Sequence, residues 1–297
     1  MNIVVLSRNP HLYSTQSIVT ACRQRKHQVM VLDHQKFDLM ADSNGMTMLY
    51  NGIKLDHVDA IIPRIGATAT VYGAAVIRQF ELNGVFSVTG SEALVKARDK
   101  FRCIQHLSAA GIPVPKTIMA NKIGFQASSL EKYLDLPIVV KLKESTHGLG
   151  VILSDSYNNA WSTLEAFHQL DQDTLIQEFI KEAKGADIRA FVVDGKVVGS
   201  MKRQAVAGDF RSNLHRGGSA AIERLSPEEE KIALAASEIL GLHVAGVDLL
   251  RSERGPLVLE VNASPGLEGI ETTTKVDIAG RIIQFVEKSL PLKKSEY

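Results

Sequence analysis

The sequence predicts a mixed α/β and α+β protein with more than one domain. Three observations support this prediction. In the first hundred residues, short apolar runs alternate with segments of helical periodicity, whereas strand-like runs predominate later. The chain has 297 residues, enough for about two domains of typical size. Hydrophobic residues make up 45% and charged residues 23%, which are values of an ordinary globular protein and exclude a disordered chain or a collagen-like fibre.

The first hundred residues predict a small open α/β domain. Apolar runs of strand length flank a helical segment, so the chain begins with a βαβ unit. Asn51-Gly52 separates two further apolar runs and suits the positive φ angles of a tight hairpin turn. The turn Ser7–Pro10 contains no glycine, which argues against a dinucleotide-binding dehydrogenase. The predicted elements are the strand Asn2–Leu6, the helix Ser14–Lys26, the strand Gln28–Leu32, the hairpin Met46–Tyr50 with Ile53–Leu55, and the strand Ala60–Ile62.

A helical pattern from Ser91 to Ala110 separates this domain from the rest of the chain. Gly111 supplies a helix stop, and prolines follow directly. Farther along, Ser226 and Glu229 form the pattern of a capping box at the start of another helix. The later predicted strands are Ile138–Leu142, Leu175–Gln177, Asp187–Val193, Lys196–Arg203, Val244–Leu250 and Leu257–Asn262, and the helices are Ser156–Gln169 and Ser226–Leu240.

Charge and cysteine content restrict the class of protein. The chain has 34 Lys and Arg against 33 Asp and Glu, so its net charge of +1 would not drive binding to nucleic acid or anionic lipid. No apolar run approaches the roughly 18 residues of a membrane span, and the first residues lack the pattern of a signal peptide. Cys22 and Cys103 fit two separate buried thiols, so we expect a cytoplasmic protein without disulfides.

Two strands in the last quarter carry the sharpest chemical signal. Asp248 lies inside the apolar run Val244–Leu250, where an unpaired carboxylate would be costly, so it requires a cationic partner. In the next run, a period of two places Glu260 and Asn262 on one face and Leu259 on the other. If the two strands pair, three oxygen donors converge on a site that suits Mg²⁺. The residues alone leave two alternatives, a metal site or structural ion pairs with Arg or Lys.

A strand that runs into a glycine-containing loop is the second signal. Lys141 and Lys143 share one face of this strand, and Gly148 and Gly150 would let backbone N–H groups approach an anion. The spacing is not that of a Walker loop. From the residues alone, an ordinary hairpin turn with solvated lysines is the more common outcome, and a phosphate-covering loop is the alternative.

The third signal is a basic stretch from residue 202 to residue 218. Its arginines, Arg203, Arg211 and Arg216, could bind phosphate oxygens through two hydrogen bonds each, and Ser212 and Asn213 add neutral polar groups. A solvated loop and an RNA-binding segment are the alternatives, although a lone aromatic residue provides few stacking surfaces. On a neighbouring strand, an aspartate and an arginine, Asp187 and Arg189, share one face and could pair or act in function.

Taken in order, these motifs resemble the ATP-grasp carboxylate–amine ligases and, among them, the RimK family of glutamate ligases. Each motif is weak alone, but their order along nearly the whole chain is specific. The motifs are Lys141 with Gly148-x-Gly150, Gln177–Ile180, Asp187–Arg189, Arg211–Asn213, Asp248 and Glu260–Gly266.

The resemblance implies an ATP-grasp fold preceded by a small open α/β domain, the pre-ATP-grasp domain. It divides the chain into this domain at 1–95, a central subdomain at 96–180 and a C-terminal subdomain at 181–290, with ATP between the subdomains. Carried over residue by residue, it implies nucleotide contacts for Lys141, Glu178, Phe179, Asp187, Arg211, Ser212 and Asn213, metal ligation for Asp248, Glu260 and Asn262, and a catalytic role for Arg203.

The function implied by the resemblance is an ATP-dependent ligase that adds L-glutamate through an acylphosphate. The implied acceptor is the C-terminus of a small-subunit ribosomal protein, the implied cofactors are ATP and two Mg²⁺ or Mn²⁺ ions, and homo-oligomers including tetramers are common among relatives. We expect the loop Thr146–Gly150 to act as a lid, and Arg64, Tyr72 and Arg78 are candidate contacts for the acceptor's carboxylate.

Two other functions are consistent with these residues. A related ligase could join an amino acid to a small carboxylate metabolite, because the choice of acceptor depends on the first domain. A non-enzymatic RNA- or ribosome-binding module would instead use the basic stretch, and it would bind RNA with a steep dependence on salt.

Overall fold

The computed structural model describes residues 1–43, 45–120, 125, 128–143, 149–212, 214 and 217–290. Within these ranges the strands form one parallel and three antiparallel sheets, and helices pack between and around them. The mixed fold class is therefore confirmed. No helix in the described ranges is both long enough and apolar enough to cross a bilayer.

The first part of the chain folds on a parallel sheet. Its elements are β1 (Asn2–Leu6), α1 (Tyr13–Gln24), β2 (Gln28–Leu32), β3 (Phe37–Asp42), β4 (Gly45–Tyr50), β5 (Ile53–Lys54), β6 (Ala60–Pro63), α2 (Thr70–Leu82) and β7 (Phe86–Ser87). The strand order is β2-β1-β6-β7, so β1 and β6 lie in the middle. Val4 and Leu6 belong to one core, whereas Ile3 and Val5 belong to the core on the opposite face. The predicted βαβ start is confirmed.

Strands β3, β4 and β5 form a separate antiparallel sheet beside the parallel one. The predicted hairpin is present, and its turn has φ angles of 50° at Asn51 and 78° at Gly52. Strand β3 is not predicted from the sequence, because its middle residues alternate poorly between apolar and polar. Phe37 at its start is buried and packs edge-on against Phe80 of α2, which attaches this sheet to the core.

The single helix predicted from Ser91 to Ala110 is wrong. The structure has two helices, α3 (Ser91–Arg98) and α4 (Lys100–Ala109), separated at Asp99. Asp99 has an extended backbone, with φ −76° and ψ 104°, and its side chain accepts hydrogen bonds from the first free N–H groups of α4. An aspartate competes well for this capping position, and the helical periodicity on either side hid the break.

The central part of the chain is built on an antiparallel sheet with a small core of its own. Its elements are β8 (Thr117–Ala120), α5 (Ser128–Tyr133), β9 (Ile138–Leu142), β10 (Val151–Ser154), α6 (Tyr157–Gln169) and β11 (Thr174–Glu178). The strand order is β10-β9-β11-β8. Ile138, Val140 and Ile176 of the sheet pack against Leu130 and Leu164 of the two helices.

The last part forms the largest sheet. Its elements are β12 (Ala186–Val193), β13 (Lys196–Gln204), β14 (Ser219–Ile222), α7 (Pro227–Ile239), β15 (Val244–Ser252), β16 (Gly255–Asn262), α8 (Glu268–Thr274) and α9 (Ile278–Ser289). The strand order is β14-β13-β12-β15-β16, and all neighbours are antiparallel. Phe191 and Met201 on one face pack in a core with residues of α8 and α9. The part of this sheet face that the two helices do not cover is polar. The candidate site lies there.

The capping box predicted at the start of α7 is present and is reinforced by an ion pair. The Ser226 hydroxyl accepts from the Glu229 N–H, and the Glu229 carboxylate accepts from the Ser226 N–H and from Arg251. Burial would raise the pKa of Glu229, but these hydrogen bonds outweigh it and lower the pKa below its usual range.

Replacing Glu229 with Gln should lower the free energy of unfolding by about 1–2 kcal/mol, because a charged acceptor is lost while the side-chain shape is kept. Urea denaturation at pH 7 measures this change. The matched variant Glu230→Gln, exposed in the same helical turn, should stay within about 0.5 kcal/mol of the wild type. The hydrogen bonds that lower the pKa of Glu229 stabilise only its ionised form. The difference in unfolding free energy between the wild type and Glu229→Gln should therefore shrink below about pH 4.3. A difference that does not change with pH would contradict this explanation.

Candidate active site

Opposite charges face one another across the large sheet. Arg203 on β13 lies directly opposite Asp187 on β12, and Arg189 on β12 lies opposite Asp248 on β15. Asp248 in turn lies opposite Glu260 on β16. Because side chains two residues apart share a face, all five project to the same side of the sheet. We call this row the charge ladder.

The ion pairs of the charge ladder are short and bidentate. Arg203 donates from Nε and Nη2 to the two carboxylate oxygens of Asp187, both at 2.6 Å. Arg189 donates in the same way to Asp248 at 2.7 and 2.6 Å. Arg203 also reaches Asp248, with 2.9 Å between Nη2 and Oδ2, so the two pairs form one network. Such fork-to-fork pairs fix geometry as well as charge.

Burial makes these pairs obligatory. Asp187, Arg203 and Asp248 are each at most 5% exposed. Burial would raise the pKa of Asp248, but the guanidinium groups of Arg189 and Arg203 outweigh it and hold that pKa below its usual range. Burial would lower the pKa of Arg203, but the two aspartates raise it, so this arginine stays charged. The expected cationic partner of Asp248 is thus present, in fact twice.

The three predicted metal ligands lie together at the end of the ladder. Asn262 Nδ2 is 3.4 Å from Asp248 Oδ2, and with its amide turned over it would donate to Glu260 Oε1 at 3.3 Å. Glu260 is exposed and forms no ion pair with a described Lys or Arg side chain within 4 Å. Two carboxylates and an amide oxygen form the hard donor set that suits Mg²⁺ or Mn²⁺, so the residues present fit such an ion.

A β-bulge interrupts the strand pair beside these ligands. The register shifts between Asp248 and Leu249, so Leu259 has no direct partner on β15. Leu259 was expected on the apolar face, and this is wrong, because it is partly exposed and borders a small cavity with Glu260. In the described ranges no three His, Cys, Asp or Glu side chains cluster as a metal site, so an ion here would need the amide of Asn262 and ligands from a substrate.

Lys141 approaches the ladder from the central sheet. It is 8% exposed, and its Nζ donates to Gln177 Oε1 at 3.0 Å. Burial lowers the pKa of Lys141 to about 8, and the negative charge of Glu260 opposes this shift. Lys143, which was expected on the same face of the strand, follows the end of β9 and pairs with Asp99 at 3.3 Å and Asp173 at 3.7 Å. The site therefore receives one buried ammonium group from this strand.

A second lysine lies at the site, Lys100, which is not predicted from the sequence. It follows the capping residue Asp99 and lines the small cavity together with Lys141 and Glu260. Its Nζ donates to the main-chain carbonyl of Lys143 at 2.9 Å, which joins α4 to the central sheet. An Asp-Lys pair at a helix start was the available signal, and the prediction of one uninterrupted helix concealed it.

The segment that joins the central and large sheets carries Glu178 and Phe179. Glu178 ends β11, and its Oε1 accepts from the Lys116 N–H at 2.6 Å and pairs with Arg254. The ring of Phe179 packs edge-on against Phe210, with 5.9 Å between centroids. The two residues thus lie where the chain passes from the central sheet to the large sheet.

The basic stretch folds back onto the ladder. The Ser212 hydroxyl donates to Asp187, and Arg211 donates to the Asp209 carboxylate at 2.9 Å. Arg211 also reaches the carbonyl of Val151 in the central sheet at 3.5 Å. The remaining predicted residues of this stretch, Asn213 and Arg216, lie outside the described residues, as do residues 146–148 of the proposed lid Thr146–Gly150.

Neither cysteine is placed for nucleophilic chemistry. Burial raises the pKa of Cys22 to about 11 and that of Cys103 to about 12, so both thiols stay protonated at neutral pH. The site therefore offers cations, carboxylates and hydrogen-bond donors between two sheets, an arrangement suited to a polyphosphate with a divalent cation.

Comparison with solved structures agrees with this architecture. The ATP-grasp ligase PsnB in complex with a minimal precursor superposes with a TM-score of 0.75 at 20% identity, covering 97% of this chain and 99% of PsnB. The D-alanine–D-alanine ligase of Bacillus anthracis complexed with ATP gives a TM-score of 0.67 at 19% identity, covering 97% and 96%. These similarities confirm the ATP-grasp fold.

Sequence comparison identifies the family. A RimK PreATP-grasp domain model matches residues 1–94, and a RimK-like ATP-grasp domain model matches residues 97–286. A probable alpha-L-glutamate ligase of Aliivibrio fischeri is 51% identical over 296 residues, covering 100% of this chain and 98% of the relative. A protein of the same name from Pseudomonas aeruginosa strain PAO1 is 52% identical over 289 residues, covering 97% and 96%. The chain therefore belongs to the RimK family of ATP-grasp ligases.

Proposed function

We propose that this ligase uses ATP and Mg²⁺ or Mn²⁺ to add L-glutamate to a carboxylate acceptor through an acylphosphate. The observation that carries the proposal is the charge ladder, which ends in the exposed carboxylate of Glu260 beside the buried ammonium of Lys141. Relatives at 51% and 52% identity are named probable alpha-L-glutamate ligases, which supports glutamate as the amino acid.

In this proposal ATP lies between the central and large sheets. Lys141 binds its phosphates, and the backbone of Glu178 and Phe179 contacts adenine. Asp187 borders the ribose while its carboxylate holds Arg203 in place. The remaining proposed phosphate contacts come from the basic stretch and are Arg211, Ser212 and Asn213.

Asp248, Glu260 and Asn262 would hold the Mg²⁺ or Mn²⁺ ions, and the family resemblance implies two of them. When bound, such cations neutralise charge on the phosphate oxygens during transfer. Arg203 contributes a fixed positive charge, because two buried carboxylates keep it ionised and oriented before any substrate arrives. The protein's own side chains thus supply a positive charge that is in position before the reaction begins.

The proposed reaction has two displacement steps and no covalent enzyme intermediate. An acceptor carboxylate oxygen attacks the γ-phosphorus and ADP leaves, which forms an acylphosphate. The neutral α-amino group of glutamate then attacks the acyl carbon, phosphate leaves, and the amine proton passes to solvent. The protonated state of both cysteines is consistent with this route.

The finer parts of the proposal rest on the family resemblance. They are an acceptor at the C-terminus of a small-subunit ribosomal protein, a cytoplasmic location, a homo-oligomer that includes the tetramer, and the division of the chain at 1–95, 96–180 and 181–290. A small carboxylate metabolite is the alternative acceptor.

An assay of ADP release tests the reaction. With ATP, Mg²⁺, glutamate and a peptide from the C-terminus of a small-subunit ribosomal protein, the purified chain should release ADP and lengthen the peptide by one or more glutamyl residues, as mass spectrometry would show. A panel of small carboxylates identifies the alternative acceptor. Steeply salt-dependent RNA binding without any nucleotide turnover would contradict the proposal and favour an RNA-binding module.

Replacing Glu260 with Gln should lower kcat/KM by about 100-fold or more, because several kcal/mol of charge stabilisation are lost. The Mg²⁺ concentration for half-maximal rate should rise, whereas the melting temperature should not change, since Glu260 is exposed. Glu253→Gln, an exposed substitution at the far end of the same strand pair, is the matched control and should behave like the wild type. Normal turnover by Glu260→Gln at limiting Mg²⁺ would exclude the proposed metal site.

The lowered pKa of Lys141 predicts a pH-dependent affinity for ATP. The free enzyme loses this charge as pH rises through about 8, and bound phosphate favours the protonated lysine, so the Kd for ATP should increase between pH 7 and pH 9.5. Calorimetric titration measures the Kd. Lys141→Gln should bind more weakly at all pH values and show no such increase; a wild-type Kd that stays constant over this range would rule out phosphate binding by Lys141.

A further inference from the structure

Both chain segments that connect the central sheet to the rest of the protein contact the hairpin of β15 and β16. The first segment precedes β8, and its Pro113 carbonyl accepts from the Val258 N–H of β16 at 2.8 Å. The second segment follows β11, and Glu178 at the end of that strand pairs with Arg254 in the turn of the hairpin. The hairpin therefore contacts the chain where it enters the central sheet and again where it leaves.

The carboxylate of Glu178 joins these segments to the hairpin. Its Oε1 accepts from the Lys116 N–H at 2.6 Å and from Nη2 of Arg254. The Glu178 N–H donates in turn to the Lys116 carbonyl at 3.0 Å, so the two residues are held together by two hydrogen bonds. The side chain of Glu178 is only 15% exposed, whereas that of Arg254 is 51% exposed. Both the main chain and the side chain of Glu178 are thus fixed by neighbours.

The turn of the hairpin makes a second contact with the segment that follows β11. The Glu253 N–H donates to Glu182 Oε1 at 3.4 Å, and Glu182 lies in the short helical turn Lys181–Ala183. The N–H groups of Glu182 itself and of Glu253 lower the pKa of Glu182 below its usual range. Two consecutive residues of the hairpin turn therefore hold both ends of the segment from 178 to 182.

The turn that makes these contacts is short and well defined. Glu253 and Arg254 are the two residues between Ser252 and Gly255, which pair across the strands. The Ser252 hydroxyl donates to the Gly255 carbonyl at 2.7 Å, and Gly255 has a φ of 100°, which a residue with a side chain rarely adopts. A two-residue turn with these restraints gives Arg254 a defined position.

The same hairpin carries the proposed metal ligands. Asp248 precedes Ser252 by four residues of β15, which is about 13 Å along a strand, and Glu260 and Asn262 lie on β16. In the proposed function the cations and phosphates of ATP lie beside these ligands, and the main chain of Glu178 and the next residue contacts adenine. A single pair of strands thus connects the site for the phosphates to the segment that contacts the base.

We propose that Arg254 is a positioning residue that holds the main chain of Glu178 and Phe179 in the place needed to select adenine. Arg254 acts through the Glu178 carboxylate and does not contact the nucleotide. Adenine and guanine present different hydrogen-bonding groups, so main-chain groups that are fixed distinguish the two bases, whereas a segment that shifts accommodates both. This inference rests on the proposed ligase function and adds a determinant of base selectivity.

Calorimetric titration of the full chain with Mg²⁺ and non-hydrolysable analogues of ATP and GTP tests this role. The wild type should prefer the ATP analogue by about 100-fold or more in Kd. In Arg254→Gln the preference should fall below about 10-fold, mainly because the Kd for the ATP analogue rises. Arg254→Lys should retain part of the preference, since it keeps the charge but not the geometry of the guanidinium group.

Two controls separate positioning from a general effect on the fold. The melting temperature of Arg254→Gln should lie within about 3 °C of the wild type, because a half-exposed ion pair adds little to stability. Glu253→Gln changes the neighbouring residue of the turn, which contacts Glu182 only through its main-chain N–H, and it should keep the full preference.

A double-mutant cycle tests whether Arg254 acts through Glu178. Glu178→Gln should lower the preference to a similar extent, and the double variant should lose no more than either single variant. Independent, additive losses would overturn the inference. So would a wild type that binds both analogues equally, an Arg254→Gln that keeps the full preference, or a loss of preference together with a large fall in melting temperature.

This assay contains neither glutamate nor an acceptor, so its result is separate from that of the ligation assay. If no acceptor supports ADP release, the ligase function fails, and the two Kd values still decide whether Arg254 controls the selection of the base.

Discussion

A buried carboxylate must have its charge compensated, and Asp248 is the residue on which this constraint acts most strongly. Its two guanidinium partners come from two different strands, so the order and register of the large sheet must be correct for it to be ionised. The same pairs hold Arg203 charged and immobile. The correct order and register of this sheet therefore also assemble the charges of the site, and the site's electrostatic field exists before substrates bind.

The network also explains how structural ion pairs and a metal site can both be present among these carboxylates. Asp248 is neutralised by arginines, whereas Glu260 on the adjacent strand is exposed and forms no ion pair with a described Lys or Arg side chain. Across the ladder, three carboxylates meet two guanidinium groups, which leaves a net charge of −1 on these five side chains. That surplus is located at Glu260, which borders a small cavity with Lys100 and Lys141 and acts electrostatically on Arg98 of α3.

Much of the fold follows from local patterns in the sequence. The Asn51-Gly52 hairpin and the Ser226 capping box are each encoded within a few residues, and the βαβ start is encoded by the periodicity of residues 2–32. All three are present in the structure. The break at Asp99 and the bulge at Leu259 were missed, because periodicity does not register one residue that caps a helix or is inserted in a strand.

The site was predictable as a set of residue types but not as a network. The apolar neighbours of Asp248 in the sequence predict that it pairs with a cation. That the cations are Arg189 and Arg203 depends on the strand order, which local patterns do not give. Lys100 and Arg98 donate hydrogen bonds to the main-chain carbonyls of Lys143 and Ile65, which are 43 and 33 residues away in the sequence. No local sequence pattern spans such separations.

The most direct test of the charge ladder is a crystal structure of the chain with Mg²⁺ and a non-hydrolysable ATP analogue. We predict a metal ion coordinated by Glu260, Asp248 or Asn262 and by phosphate oxygens, with Arg189 and Arg203 still paired to their aspartates. Phosphates bound away from β16, with Glu260 turned toward solvent and no metal beside it, would contradict it.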